Sequence, residues 1–247
     1  NDIVSYITRA IQEDQILATR FTVKRNNKIV ELPSFWDVWE KNPKLSRKIL
    51  RSSDPHEAKW EFRKEFGYNM ATTFMPSYAK SIYEHFNAKR VLDPCAGWGD
   101  RMIGAEAAKC VNTYVGFDPN RTLRPGYVKL MQTMGESVTE IDYSQLSFSN
   151  NFTINTQPFE VGAKELTSES FDLVFTSPPF FNYEMYSPTN PKYSNWIDEF
   201  YKPLFIEASR CVVEGGHVAI HIGDTSVGAI ESFLKTEVSK LCPLKLI

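Results

Sequence analysis

The sequence predicts an α/β protein with a doubly wound, mostly parallel sheet and a helical extension in front of it. From residue 91 onward, short apolar runs alternate with segments of helical length, as in strands joined by crossover helices. A glycine-rich turn follows the first of these runs, and an aspartate ends the second. We therefore expect a mainly helical N-terminal region over residues 1–70 and an α/β domain over residues 71–247.

Composition limits the classes of protein to which the chain can belong. Its 247 residues suffice for one α/β domain with a sizeable core and a smaller appendage. No apolar run approaches the length of a membrane span, so we expect no membrane partner. The formal net charge of −2 gives no overall attraction to a polyanion, and a nucleic-acid contact would need a local basic patch.

The cysteines and histidines give no metal-binding pattern. Four dispersed cysteines are typical of reduced thiols in an intracellular protein. His217 and His221 would share one face of a strand, but no further ligands stand at metal spacing near them. We expect structural histidines and no metal site.

The N-terminal region divides into short elements. Apolar spacing predicts a helix over residues 2–18, and alternation around Asn26-Asn27 predicts a hairpin over residues 21–32. Ser34 is placed to cap the next helix, and two further helices are expected over residues 44–51 and 54–66.

Basic residues cluster in this region, with tryptophan and phenylalanine among them. A solvated helical face interleaved with core aromatics is the commoner origin of such a pattern, and a surface that holds phosphates is the alternative. The sequence leaves both open. The clusters are Lys24, Arg25 and Lys28; Lys44, Arg47, Lys48 and Arg51; and Lys59, Arg63 and Lys64.

The remaining residues carry the strand and helix pattern of the α/β domain. Residues 135–170 are hard to assign apart from one strand. Strands are expected over residues 91–93, 113–118, 152–155, 171–175 and 217–222, and helices over residues 77–87, 101–109, 120–134, 195–211 and 227–241.

The glycine-rich turn at residues 93–100 follows the first predicted strand, where open α/β sheets bind ligands. Gly97 and Gly99 allow the backbone to approach a ligand closely. A dinucleotide site would have glycine where Met102 stands, and the carboxylate of Asp93 would repel a pyrophosphate. The turn therefore suits a cationic or amino-bearing ligand.

Asp118 ends the second strand, 21 positions after Gly97. A carboxylate at the end of this strand can accept hydrogen bonds from the two hydroxyls of a ribose. A nucleoside-bearing, positively charged ligand without pyrophosphate describes S-adenosylmethionine, and Glu160 is placed for a contact on the adenine side. A glycine-rich turn without any ligand is the alternative.

A second unusual stretch, residues 176–181, follows the strand at 171–175. Pro178 and Pro179 must end that strand because proline cannot donate a hydrogen bond to a sheet. Since neither has an N–H group, few donors compete for the carbonyl oxygens and the Ser177 hydroxyl of this turn. Phe180 follows at once. Acceptors beside a flat apolar ring suit a planar ring that carries an amino group, although a proline-terminated strand with a core phenylalanine has the same pattern.

Residues 93–99 and 177–180 together resemble two motifs of the class I S-adenosylmethionine-dependent methyltransferases, which have a Rossmann-like sheet. The chain is most similar to those that modify the exocyclic nitrogen of adenine or cytosine, and the likeness spans roughly residues 70–240. Serine at position 177 is commoner among the cytosine-N4 enzymes. The resemblance implies S-adenosylmethionine as cofactor and a nucleic-acid substrate, DNA in preference to RNA.

The resemblance also implies roles for individual residues, with the Ser177 hydroxyl and the Pro178 carbonyl binding the two amino hydrogens and Phe180 stacking on the base. The following loop would line the target pocket. The implied sets are Ser177, Pro178, Pro179 and Phe180 for catalysis; Asp93, Pro94, Cys95, Ala96, Gly97, Gly99, Asp118 and Glu160 for the cofactor; and Phe181, Tyr183 and Tyr186 for the substrate.

Two features depart from that family. We expect the usual antiparallel sixth and seventh strands to be shortened or missing, and we expect no long, separate target-recognition domain in this sequence. Specificity would come from the N-terminal region, the loop after Phe180, or a partner subunit or further domain. Two alternatives remain: a methyltransferase for a glutamine side chain or small amine, and a methyltransferase-like subunit that positions nucleic acid.

Overall fold

The computed structural model describes residues 10–44, 47, 73–180, 184–185, 195–225, 230–245 and 247. Its strands form two sheets. The strands are β1 (Arg20–Arg25), β2 (Lys28–Leu32), β3 (Arg90–Asp93), β4 (Thr113–Phe117), β5 (Val138–Ile141), β6 (Gln145–Phe148), β7 (Phe152–Asn155), β8 (Phe171–Thr176), β9 (Glu184–Met185) and β10 (Val212–Ile220).

The larger sheet has seven strands in the order β10-β8-β3-β4-β7-β6-β5. Five of its strands pair in parallel, from β10 at one edge through β8, β3 and β4 to β7. In chain order these five strands read 3-2-1-4-5, which is the doubly wound arrangement. The predicted fold class is therefore confirmed. The strand order reverses between β3 and β8, so the carboxyl ends of these two strands border the crevice where such sheets bind ligands.

The segment at residues 135–170 contains an antiparallel addition that the sequence did not reveal. Strands β5 and β6 pair with each other and extend the sheet beyond β7. Both are four residues long, and three of the four β5 residues are exposed, so the apolar alternation is weak. On the opposite edge, no strand within the described ranges pairs with the outer side of β10.

Helices cover both faces of this sheet. The predicted helix at 120–134 opens with a 3₁₀ turn, Arg121–Leu123, because Pro125 cannot donate a helical hydrogen bond. The segment at 195–211 opens with a π-helical turn, Ile197–Tyr201. The helices are α1 (Glu13–Ala18), α2 (Phe35–Lys41), α3 (Pro76–His85), α4 (Asp100–Ala107), α5 (Arg124–Thr133), α6 (Phe159–Gly162), α7 (Lys202–Cys211), α8 (Glu231–Thr236) and α9 (Val238–Leu241). No helix in the described ranges is long and apolar enough to cross a membrane.

Side chains of the central strands alternate between two apolar clusters, one on each face. Leu173 and Phe175 lie in the cluster shared with α3, α4 and α5, whereas Val174 lies in the cluster shared with α6, α7 and α8. Val91 and Leu92 divide in the same way. This two-residue period buries both faces of the sheet.

The smaller sheet joins the N-terminal region to the loop after Phe180. Its order is β2-β1-β9, and β9 pairs antiparallel to β1. Asn26 and Asn27 have φ values of 49° and 58°, the left-handed pair of a tight hairpin turn, which confirms the predicted hairpin. The hydroxyl of Ser34 accepts the Asp37 N–H, which confirms the predicted cap. The predicted helices at 44–51 and 54–66 lie almost entirely outside the described residues, and the division at residue 70 stays a prediction.

Candidate active site at the carboxyl edge of the sheet

The ends of β3 and β8 are joined by hydrogen bonds between buried side chains. Thr176 Oγ1 donates to Asp93 Oδ1 over 2.8 Å, and the Cys95 N–H donates to Thr176 Oγ1 over 3.0 Å. Asp93 and Thr176 are both fully buried. The glycine-rich turn and the Ser177-Pro178 stretch, which are far apart in sequence, therefore share one fixed anchor.

Asp93 also forms a buried ion pair. Its Oδ2 accepts from Arg101 Nε over 2.8 Å and from the Tyr114 hydroxyl over 2.6 Å. Although burial opposes the charge of Arg101, the charge of Asp93 raises the pKa of that guanidinium above its usual range. Since internal donors occupy both oxygens, Asp93 acts first as part of the framework, and its predicted contact with a cofactor stays a prediction.

The two glycines of the turn have different surroundings. Gly99 has a φ of +96°, and a Cβ placed there would lie 2.9 Å from Leu130 Cδ1. Gly97 has a φ of +58°, and the nearest atom to its added Cβ would be the Cys95 carbonyl oxygen at 3.9 Å. Gly99 is therefore required by packing against α5, whereas Gly97 borders open space that a ligand can enter.

Three amides of the turn are occupied by partners within the protein. The Ala96 N–H donates to the Phe117 carbonyl, the Gly97 N–H to Asp118 and the Gly99 N–H to the Ala96 carbonyl. A pyrophosphate site needs free backbone donors and a nearby cation. The amides of Ala96, Gly97 and Gly99 do not supply such donors, and the charge of Arg101 is paired with Asp93. The turn therefore fits a ligand without phosphate groups.

Asp118 lies half-buried just beyond the end of β4. Its Oδ2 accepts the Gly97 N–H over 3.0 Å and its Oδ1 accepts the Asn120 N–H over 2.8 Å. Burial raises the pKa of Asp118 to about 7, and these two backbone donors oppose the rise. Each oxygen keeps a further acceptor site. The geometry suits the predicted contact with a ribose diol, which stays a prediction.

The N-terminal segment packs against the same turn, a contact that the sequence did not suggest. Gln12, which is buried, donates through Nε2 to the Trp98 and Leu123 carbonyls, both over 3.4 Å. Its amide packs against Gly126, where a larger residue would collide with it. The residues just before α1 therefore help to hold the turn.

The Ser177-Pro178-Pro179-Phe180 stretch leaves β8 beside two partners that the sequence did not identify. The Pro179 carbonyl accepts the Tyr201 hydroxyl over 2.6 Å, and Ser177 Oγ lies 3.2 Å from His221 Nδ1. No donor among the described residues reaches the Pro178 carbonyl, and Phe180 is half-buried. The acceptors predicted at Ser177 and Pro178 thus lie together at the edge of the crevice.

The other predicted site residues are less constrained. Glu160 lies in the first turn of α6, directly after β7. Its contact with adenine stays a prediction. Phe181, Tyr183 and Tyr186 lie outside the described residues. Within the described ranges, no group of three or more histidine, cysteine or acidic side chains has the arrangement to hold a metal ion.

Comparisons with known proteins give distant similarities. No protein-family model matches the sequence, and no curated protein matches it. A methyltransferase from Geobacter sulfurreducens is 12% identical with a TM-score of 0.44, over 80% of this chain and 87% of that one. A SAM-dependent O-methyltransferase from Thermotoga maritima is 12% identical with a TM-score of 0.43, over 89% and 76%. YhhF from Escherichia coli is 11% identical with a TM-score of 0.39, over 59% of this chain and 65% of its own length. The function proposed below therefore rests on the geometry of the site.

Proposed function

We propose that this protein is an S-adenosylmethionine-dependent methyltransferase that acts on the exocyclic amino group of a nucleic-acid base, cytosine N4 or adenine N6, in DNA in preference to RNA. One observation carries the proposal. The hydrogen bond between Thr176 and Asp93 holds a pair of acceptors, Ser177 Oγ and the Pro178 carbonyl, beside a turn that suits a nucleoside without phosphate. A methyl donor and an amine acceptor would meet at this edge.

The cofactor would be held by the turn and by Asp118. The Asp118 carboxylate would accept both ribose hydroxyls, Gly97 would leave room for the ligand, and Glu160 would face the adenine side. When bound, the cofactor supplies a methyl group on a sulfonium, which is already a strong electrophile. The task of the protein is then mainly to orient the two reactants.

An exocyclic amine is a poor nucleophile because its lone pair is delocalised into the ring. Ser177 Oγ and the Pro178 carbonyl would accept its two hydrogens, which favours a tetrahedral nitrogen with its lone pair directed at the methyl group. The same acceptors stabilise the positive charge that develops on that nitrogen. Tyr201 supports this arrangement, since it occupies the neighbouring Pro179 carbonyl and fixes the turn.

Phe180 would stack on the target base. A base in a duplex must first leave the helix, which costs a few kcal/mol and is offset by such stacking. The half-buried position of Phe180, directly after the two prolines, favours a planar aromatic substrate over an aliphatic amine.

The N-terminal hairpin supplies a surface for the nucleic-acid backbone. Lys24, Arg25 and Lys28 are exposed around its tip, and none is in an ion pair with another described residue. Strand β1 pairs with β9, which begins four residues after Phe180. The hairpin therefore belongs to the substrate side of the site, where its charges can contact phosphates.

Two other functions share part of this geometry. A methyltransferase for a glutamine side chain would use the same acceptors, but it would have no need for the basic hairpin. A subunit that only positions nucleic acid would have no need for the Asp118 site, whose hydrogen bonds are intact. Both features together favour a nucleic-acid methyltransferase.

The test is incubation of the protein with cofactor carrying a deuterated methyl group and, separately, with DNA, RNA and peptide pools. Mass spectrometry of the digested products identifies the base and the atom. We expect label on N4 of cytosine or N6 of adenine in DNA. Label only in peptides, or cofactor binding without transfer to any pool, would contradict the proposal.

A further inference from the structure

The hydroxyl of Ser177 lies beside a histidine from the neighbouring strand β10. Nδ1 of His221 lies 3.2 Å from Ser177 Oγ, although 44 positions separate the two residues. The parallel pairing of β10 with β8 brings them together. Ile220 pairs with Thr176, and the His221 N–H continues this register by donating to the Thr176 carbonyl over 2.9 Å.

The imidazole of His221 is held in place on one side by an aromatic ring. Phe74 meets it edge to face, with ring centres 5.4 Å apart and planes at 82°. Phe74 is itself fixed, since it contacts Phe175 at 5.7 Å and lies under the Arg101 guanidinium at 5.4 Å. His221 is nevertheless exposed. It therefore combines a fixed orientation with a position at the open edge of the site.

The direction of the Ser177 hydroxyl proton decides whether this residue can assist an amine. A hydroxyl has one proton and two lone pairs. If the proton points at the substrate, it hydrogen-bonds the nitrogen lone pair that must attack the methyl group. If the proton is donated elsewhere, both oxygen lone pairs are free for an amino hydrogen.

We propose, on the basis of the function proposed above, that His221 is a positioning residue for Ser177. A neutral imidazole with its proton on Nε2 accepts the Ser177 hydroxyl proton at Nδ1. Ser177 Oγ is then a pure acceptor, directed at one hydrogen of the substrate amine. His221 itself takes no part in methyl transfer.

Two substitutions separate this role from a purely structural one. His221→Phe keeps a ring against Phe74 but removes the acceptor, and we expect turnover on a DNA pool to fall about tenfold or more, the effect of losing one oriented hydrogen bond. His221→Asn loses the ring but places Oδ1 where Nδ1 was, and we expect it to stay within a few-fold of the wild type. Cofactor affinity should be unchanged in both.

A double substitution tests whether His221 acts through Ser177. Because Ser177→Ala already removes the hydroxyl, adding His221→Phe should cause no further loss of turnover. Wild-type turnover in His221→Phe, with a loss in His221→Asn, would assign a packing role to the ring and overturn the proposal. Additive losses in the double variant would overturn it as well.

A measurement without substrate keeps the inference separate from the proposed function. The chain has four histidines, and the ¹⁵N signals of His221 can be assigned by their absence in His221→Asn. We expect the proton on Nε2 and a shift of the Nδ1 signal in Ser177→Ala. A proton on Nδ1 would overturn the inference. If the spectra show the proton on Nε2 and the shift in Ser177→Ala but the protein methylates no nucleic acid, the proposed function is wrong and the contact between His221 and Ser177 stands.

Discussion

The hydroxyl of Thr176 donates a hydrogen bond of 2.8 Å to Asp93 Oδ1 and thereby joins the carboxyl ends of β8 and β3. Asp93 is in turn paired with Arg101 inside the protein. A buried network of this kind is stabilising only when all of its members have partners. This contact, the bond from the Cys95 N–H to the Thr176 hydroxyl and the pairing of β3 with β8 together fix the acceptors after Thr176 relative to the glycine-rich turn.

Replacement of Thr176 by valine should disturb both halves of the site. Valine has the same shape but no hydroxyl, so Asp93 and the Cys95 N–H each lose one hydrogen bond, although the 3.2 Å bond between them remains. The protein should therefore lose about 1–3 kcal/mol of stability in urea unfolding. Cofactor affinity and turnover should both fall. Thr176→Ser keeps the hydroxyl and is the matched control. Unchanged affinity and turnover in Thr176→Val would argue against the shared anchor.

Replacement of Ser177 by alanine should separate catalysis from cofactor binding. We expect turnover to fall by about tenfold or more, because the amine loses one acceptor, while calorimetry shows little change in cofactor affinity. Asp118→Ala should have the reverse effect and weaken cofactor binding first. If Ser177→Ala weakened cofactor binding as much as it lowers turnover, the proposed role of Ser177 would be wrong.

Cofactor affinity should depend on the ionisation of Asp118. Burial raises the pKa of Asp118 to about 7, so below that pH the group is protonated and has fewer acceptor sites for a ribose diol. Binding should therefore strengthen as the pH rises through about 7 and level off above it. If binding lowers this pKa by about one unit, the dissociation constant changes about tenfold across the transition. Titration calorimetry over this range measures the effect.

Asp118→Asn is the control for that pH dependence. The amide cannot ionise, so any remaining dependence belongs to the cofactor or to other groups. We expect weak binding in this variant, without the step near neutral pH. If cofactor affinity changed with pH in the same way in the variant and the wild type, the ionisation of Asp118 would not be its cause.

Gly99→Ala should destabilise the fold more than the same change at Gly135. Both glycines have a positive φ, +96° at Gly99 and +94° at Gly135. The added Cβ lies 2.9 Å from Leu130 at Gly99, whereas at Gly135 it meets nothing within 4 Å. Both variants have the same backbone strain, but only Gly99→Ala has the collision. Its free energy of unfolding in urea should therefore fall by about 1–3 kcal/mol more than that of Gly135→Ala. Equal losses would mean that the turn can shift away from α5.

The charges of the hairpin should contribute to nucleic-acid binding. Replacing Lys24 and Lys28 together by glutamine should weaken DNA binding and reduce the slope of log affinity against log salt by up to about two. Lys235→Gln with Lys240→Gln is the matched control, because it removes the same charge on α8 and α9. Equal changes in slope for the two pairs would show that the hairpin has no special role.

The strand ends and turns were predictable because their signals are local. Apolar runs marked the parallel strands, and the prolines after Thr176 marked the end of β8. The hairpin at Asn26-Asn27 and the cap at Ser34 were predictable for the same reason. Strands β5 and β6 were missed because each has only four residues and because β5, at the edge of the sheet, is largely exposed.

The chain's own sequence determined which residues stand at the carboxyl ends of the strands, since glycine, proline and apolar periodicity act over a few residues. Only the tertiary structure decided which of them meet. Asp93 and Thr176 are 83 positions apart, and the side-by-side pairing of β3 and β8 brings them into contact. The pairing of β10 with β8 brings His221 to Ser177 in the same way. Parallel strands are distant in sequence and adjacent in space, so no local pattern can specify these contacts.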